Sequence, residues 1–234
     1  MTIDMSPTKM WKQFLLVATF LFAIVLIAVL TQAQQLQKGV SVQLAATRNA
    51  APMPEADAAD AWIITVTADG SLYFGATPVT SDELTDEMRA RPRRRDAMLY
   101  LKADARTPFA AVKKVLAAAH DVGFTEAVLL ASQPAPAAPG TIIEPEGLIV
   151  QIEPPSAESI EVQLDAGPSP MLKVNQVETS WTALPDTLWR QLKNRKPKAV
   201  VVNAAGQVPF ARVAAVIDAA RPMGATVAIV APAL

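Results

Sequence analysis

A self-match at an offset of 101 residues constrains this chain more than any other feature. The run PFAAVKKVLAAAHDVGFTEAVLLA from Pro108 aligns with PFARVAAVIDAARPMGATVAIVAP from Pro209, and ten of the 24 aligned pairs are identical. Other pairs exchange one aliphatic residue for another, as Leu116 with Ile217 and Val128 with Ile229, which is what buried positions tolerate. Alanine content inflates the count, yet proline, phenylalanine and glycine coincide as well. The chain therefore holds two copies of one unit.

Each copy reads as a small α+β domain. Phe109, Val112, Val115, Leu116 and Ala119 recur at helical spacing, as do Phe210, Val213, Val216, Ile217 and Ala220, with Gly123 and Gly224 as stops. Strands are expected at Met98 to Leu101 and Ala127 to Leu130, and again at Ala199 to Val202 and Thr226 to Val230. An earlier helix spans about Ser81 to Arg91 in one copy and Leu184 to Lys193 in the other. Trp62 to Val66 and Leu72 to Phe74 flank Asp69-Gly70, a hairpin signal, with Ser159 to Leu164 and Met171 to Val174 as the second pair. The order per copy is strand-strand-helix-strand-helix-strand. Ser132 to Pro155 holds six prolines and reads as a linker, with Gly147 to Ile152 as a strand of the second unit. Val40 to Leu44 reads as an added edge strand, and Ala45 to Ala61 as a loop.

Phe14 to Leu30 is a run of seventeen residues without charge, in which Thr19 is the polar member. That length is near the minimum for a helix crossing a hydrocarbon core of about 30 Å. It exceeds the apolar stretch of a secretory signal, although Lys9, Lys12 and Thr31-Gln32-Ala33 also fit cleavage after Ala33. The two lysines before the run favour a cytoplasmic N-terminus. The expected organisation is a tail (1–13), a transmembrane helix (14–31), a periplasmic linker with an edge strand (32–61), a first domain (62–131), a Pro-rich linker (132–146) and a second domain (147–234).

A net charge of -1 gives no basic field for nucleic acid. The absence of cysteine excludes disulfides and thiolate sites, and the single histidine, His120, cannot build a multi-histidine metal centre. No phosphate loop or nucleophile elbow occurs, so neither an enzyme nor a cofactor is expected.

The short tail, one apolar span and a unit of this order resemble the ExbD/TolR family of biopolymer-transport proteins. ITVTADGSLYFGATPVTSDEL from Ile64 and LYLKADARTPFAAVKKVLAAAHDVGFTEAVLLA from Leu99 carry the resemblance, with Asp69, Gly70, Tyr73, Ala103, Asp104 and Gly123 on the family's motif positions. The resemblance implies an inner-membrane, single-pass subunit with most of its chain in the periplasm. It also implies an ExbB/TolQ-like channel partner, a dimer with itself or another ExbD-like chain, and a TonB-like or cell-wall partner. The family's proton-carrying aspartate in the membrane helix is missing, since no carboxylate lies between Asp4 and Glu55. The second copy has Asn203-Ala204-Ala205 where the first has Lys102-Ala103-Asp104. A structural anchor or cell-wall-binding module without a motor role is the alternative.

The candidate interaction residues are Thr19, the basic run Arg91, Arg93, Arg94 and Arg95, and Asp104. Each has a plainer role: Thr19 bonding its own helix backbone, the arginines favouring a helix C-terminus, Asp104 capping a loop. Trp181 and Trp189 are expected in the second core, and His120 on a helix surface.

Overall fold

The computed structural model describes residues 40–132, 144–152, 158–167 and 171–230. Two short strands, β1 (Ala45–Ala46) and β2 (Ala51–Pro52), and a 3-10 turn at Pro54–Asp57 lead into the first copy. That copy runs β3 (Trp62–Val66), β4 (Leu72–Phe74), β5 (Thr77–Val79), α1 (Ser81–Ala90), β6 (Leu99–Ala103), α2 (Phe109–Asp121) and β7 (Glu126–Ser132). After β8 (Glu146–Gln151) the second copy runs β9 (Ile160–Leu164), β10 (Leu172–Val174), β11 (Val177–Glu178), α3 (Leu184–Leu192), β12 (Ala199–Ala204), α4 (Phe210–Ala220) and β13 (Thr226–Ile229).

Local chemistry sets these boundaries. Gly70 takes φ +85° in the β3–β4 turn, and Asp69 accepts from the Thr67 and Ser71 hydroxyls to brace it. The α1 helix opens on a capping box in which Thr80 and Glu83 satisfy each other's backbone N–H. It closes before Arg91, which precedes Pro92 and is therefore held extended. Left-handed Gly123 and Gly224 follow α2 and the turn after α4.

The sheet is continuous across both copies, in the order β11-β10-β9-β12-β13-β8-β7-β6-β3-β4-β5, with β1 on β7 and β2 on β8. The two small α+β units expected from the sequence thus contribute their strands to one sheet. Strand β8 pairs antiparallel with all but the last residue of β7 and touches β13 in parallel through Ala228 and Gln151. Gly147 permits this, because a Cβ there would collide with the Val128 side chain. One core then forms on one face: Leu84, Leu116, Leu188 and Ile217 from the four helices join Ile64, Leu101, Val162 and Val202 from the strands.

The observed register revises one alignment. Leu101 pairs with Leu129 and Val202 with Ile229, so Leu129, not Val128, is the counterpart of Ile229. The loop after Gly224 is one residue shorter than the loop after Gly123, and a one-residue slip moves every side chain to the other face. Strands β5 and β11 were not evident in the sequence, being short and on the edges. The extended pairing expected at Val40 to Leu44 begins instead at Leu44, which bridges Asp104, and continues as β1 and β2. Trp181 packs partly against the core, but Trp189 is 55% exposed, which corrects its assignment to the core.

The apolar run 14–30 lies outside the described residues, with Thr19 in it. Among the described residues no helix is long and apolar enough to cross a membrane.

Candidate functional site

Asp104 follows β6 and is almost fully buried. Its carboxylate accepts from the backbone N–H groups of Arg106 (3.0 Å) and Gln43 (3.1 Å), and from the Arg106 guanidinium in a two-point contact at 2.8 and 2.9 Å. The Ala105 N–H in turn donates to the Gln43 carbonyl at 2.7 Å. The Arg106 hydrogen bonds hold the Asp104 carboxyl far below the usual carboxylate range, outweighing the opposing effect of burial. A carboxylate so held stays ionised and anchors; it does not exchange protons near neutral pH. Asp104 thereby fastens the segment entering from residues 40–44 to the end of β6. Further along, the Asp218 carboxylate on α4 accepts from the N–H groups of Arg48 and Asn49. The segment 43–52 is thus held by both copies.

The basic run after α1 divides. Arg94 turns to Asp96, with bonds of 3.2 and 2.9 Å, and lies 3.7 Å from Asp60. Arg91 instead lies over the Phe74 ring at 3.8 Å, and Arg93 over the Phe124 ring at 4.3 Å. Between those rings stands Trp62, tilted against Phe74 at 5.2 Å and against Phe124 at 5.6 Å. The result is a ladder, Arg91-Phe74-Trp62-Phe124-Arg93. Its two guanidiniums have no ion pair among the described residues, and they line a cleft of about 520 Å³ with Arg89, Met88, Gly123 and one carboxylate, Asp121. Stacking one face of a guanidinium on a ring fixes its orientation while leaving N–H edges for a carboxylate or phosphate. Arg95 makes no ion pair among the described residues either and does not line this cleft.

Sequence reasoning found the arginines but not the ladder. Trp62, Phe74 and Phe124 come from β3, β4 and the loop after α2, and no spacing links them. His120 lies on the surface of α2, its Nδ1 3.9 Å from the Asp121 carboxylate. No cluster of acidic and histidine side chains fit for a metal ion occurs among the described residues.

A model of the biopolymer transport protein ExbD/TolR family matches residues 14–134. The chain belongs to the ExbD/TolR family. No curated protein and no solved structure matches it. The matched region covers the apolar run and the first copy, including Asp104 and the arginine ladder, and ends before β8. ExbD/TolR proteins are inner-membrane subunits of energy-transducing biopolymer transport, and as a family they are not enzymes. They work beside ExbB/TolQ and TonB/TolA.

Proposed function

We propose that this protein is an ExbD/TolR-like subunit of an ion-driven inner-membrane complex, anchored by a helix over 14–31 with its N-terminus in the cytoplasm and both copies in the periplasm. The observation that carries the reading is the family match, which takes in the apolar run and the first copy together. An ExbB/TolQ-like channel protein is the partner within the membrane. Because no carboxylate lies between Asp4 and Glu55, the proton carrier belongs to another subunit, either a second ExbD-like chain or the channel itself. Arg91 and Arg93 are the residues to which we assign contact with an acidic face of a partner, because stacking on Phe74 and Phe124 fixes them without an ion pair among the described residues.

Affinity purification of the full chain from membranes tests this. Recovery of an ExbB/TolQ-like protein is expected, whereas recovery bound to cell-wall polymer alone would favour the structural anchor. Labelling of Asp60→Cys in intact cells tests orientation, and a thiol reached only after lysis overturns it. Thr19→Val should leave ion-driven function nearly unchanged, since a hydrogen bond between membrane helices averages only about 0.6 kcal/mol.

A further inference from the structure

The beginnings of α2 and α4 are bonded to each other, and the bonds are reciprocal. The Phe109 N–H donates to the Val208 carbonyl at 2.9 Å, and the Phe210 N–H donates to the Thr107 carbonyl at 2.9 Å. One residue further in, the Ala110 N–H donates to the Gly206 carbonyl and the Ala211 N–H to the Ala105 carbonyl, both again at 2.9 Å. Every residue in one bond is related to its counterpart in the other by the same offset of 101 that the sequence repeat shows. Pro108 and Pro209 face each other as an antiparallel pair at the centre. Both phenylalanines are fully buried. This is the pattern a two-fold axis produces, written into one chain.

The chemistry explains why the pairing matters. The first N–H groups of a helix have no partner within it, and neither α2 nor α4 has a side-chain cap among the described residues. In a single copy, the N–H groups of Phe109 and Ala110 and the carbonyls of Ala105 and Thr107 would have to be satisfied from outside. The group that fits them is the same loop of a second unit, turned about the axis.

Strand β8 shows how the symmetry ends. By the same offset it corresponds to the stretch beginning at Ala45, where β1 lies. The strand β1 pairs in parallel with β7, the last strand of its copy, as β8 does with β13, the last strand of its own. Yet β8 also fills the place between β13 and β7. A site on a two-fold axis has room for one such strand, so the two leading segments cannot be equivalent.

We infer that the second copy takes the place of a second chain: the described body is a pseudo-dimer completed in cis, and each such body carries one apolar segment 14–30 instead of two. The partner surface that a one-unit chain of this fold would present to another molecule of itself is here already occupied. Any association between two whole chains must therefore use a different surface.

The cysteine-free sequence makes this testable in the full chain in membranes. Pro108→Cys with Pro209→Cys joins a pair without mutual hydrogen bonds, whose Cα atoms stand about 4.5 Å apart in such ladders, inside the disulfide range. Ala110→Cys with Gly206→Cys is a second pair that keeps both prolines; a Cβ at 206 would stand 3.1 Å from that of Ala110. On mild oxidation, either double variant is expected to form a disulfide within one chain, running as a monomer on a non-reducing gel and losing both alkylatable thiols. The single Pro108→Cys variant is expected to give no cross-linked dimer, although a two-fold contact between chains would bring two such cysteines together. An interchain dimer from any of these variants, or two free thiols in both double variants, overturns the inference. Neither result depends on a channel partner, so failure here is separate from failure of the proposed function.

Discussion

The two copies share one helix-side core and differ on the opposite face of the sheet. In the first copy that face carries Ile63, Tyr100, Val128 and Leu130, closed over by Leu44, Met53 and Ala56 from the entering segment. The register puts Glu161, Val201, Ala228 and Val230 at the corresponding places of the second, where Glu161 is partly exposed and Val230 is 37% exposed. The aromatic ladder diverges likewise. Where the first copy has Trp62, Phe74 and Phe124, the second has Ile160, Val174 and Ala225. Its own cations go elsewhere: Lys193 lies over the exposed Trp189, and Arg195 donates to the Glu158 carbonyl. After duplication the shared core remained under one packing constraint, while the covered face and the cleft became properties of the first copy.

The sharpest test of the shared core is to damage it from either side. Phe109→Ala and Phe210→Ala each remove a fully buried ring at the pairing of α2 with α4, and each should cost about 3 to 5 kcal/mol. Chemical denaturation should show the whole body's single transition moving in both variants. Two separable transitions, with only one displaced, would break the picture of a joint core.

Next in size is Asp104, whose counterpart is Ala205. Asp104→Asn should destabilise by about 2 kcal/mol through the weakened bonds to the Gln43 and Arg106 N–H groups. Its folded-state carboxyl is held well below the unfolded value of about 3.9, so its stabilisation is complete above roughly pH 5 and is lost progressively as the pH falls from the unfolded value toward the lower folded one. The gap between wild type and Asp104→Asn should therefore close on acidification; a gap constant from pH 7 to 3 would refute the charge argument. Amide exchange should also speed up over residues 43–52, the segment Asp104 helps to hold.

A smaller effect of opposite sign is expected at Lys102, replaced in the second copy by the exposed Asn203. The Lys102 ammonium is buried without a hydrogen-bond partner among the described residues, beside the equally unpartnered Thr65 hydroxyl, and burial lowers its proton affinity. Lys102→Met should stabilise the body by about 1 kcal/mol at neutral pH by removing that orphan. The folded pKa lies below the unfolded one, so the penalty is full at neutral pH and shrinks as the pH rises toward about 10.4. The advantage of the variant should shrink in parallel when melting is followed from pH 7 to 10.

The smallest effect on stability belongs to the ladder. Arg91→Gln and Arg93→Gln should each cost less than about 1 kcal/mol, the scale of an exposed cation–aromatic contact. Both should nevertheless reduce recovery of the membrane partner, and matching changes at Lys193 and Arg195 in the second copy should not. Equal losses from the two copies would erase the distinction drawn between them.

The duplication, the four core helices and the strands flanking them were legible because each rests on a short-range signal: proline-phenylalanine starts, aliphatic residues at helical spacing and glycine stops. The β3–β4 hairpin was legible from Asp69-Gly70 for the same reason. Asp104 and the arginines were visible as residue types, and their neighbours were not. The bond from Asp104 to Gln43 joins residues 61 positions apart, and the ring under Arg93 arrives from beyond α2. Periodicity carries no information about such meetings.

By itself the sequence determined that this chain contains two copies of one strand-and-helix unit behind an apolar segment, because burying an amphipathic helix and a hairpin leaves a periodic record in the residues. Only the tertiary structure decided that the copies share one sheet and one core. A small unit that opens two helix N–H groups and two carbonyls at its surface has to find those partners somewhere. The duplicated loop was the nearest group of the right shape, held at high local concentration by its own chain.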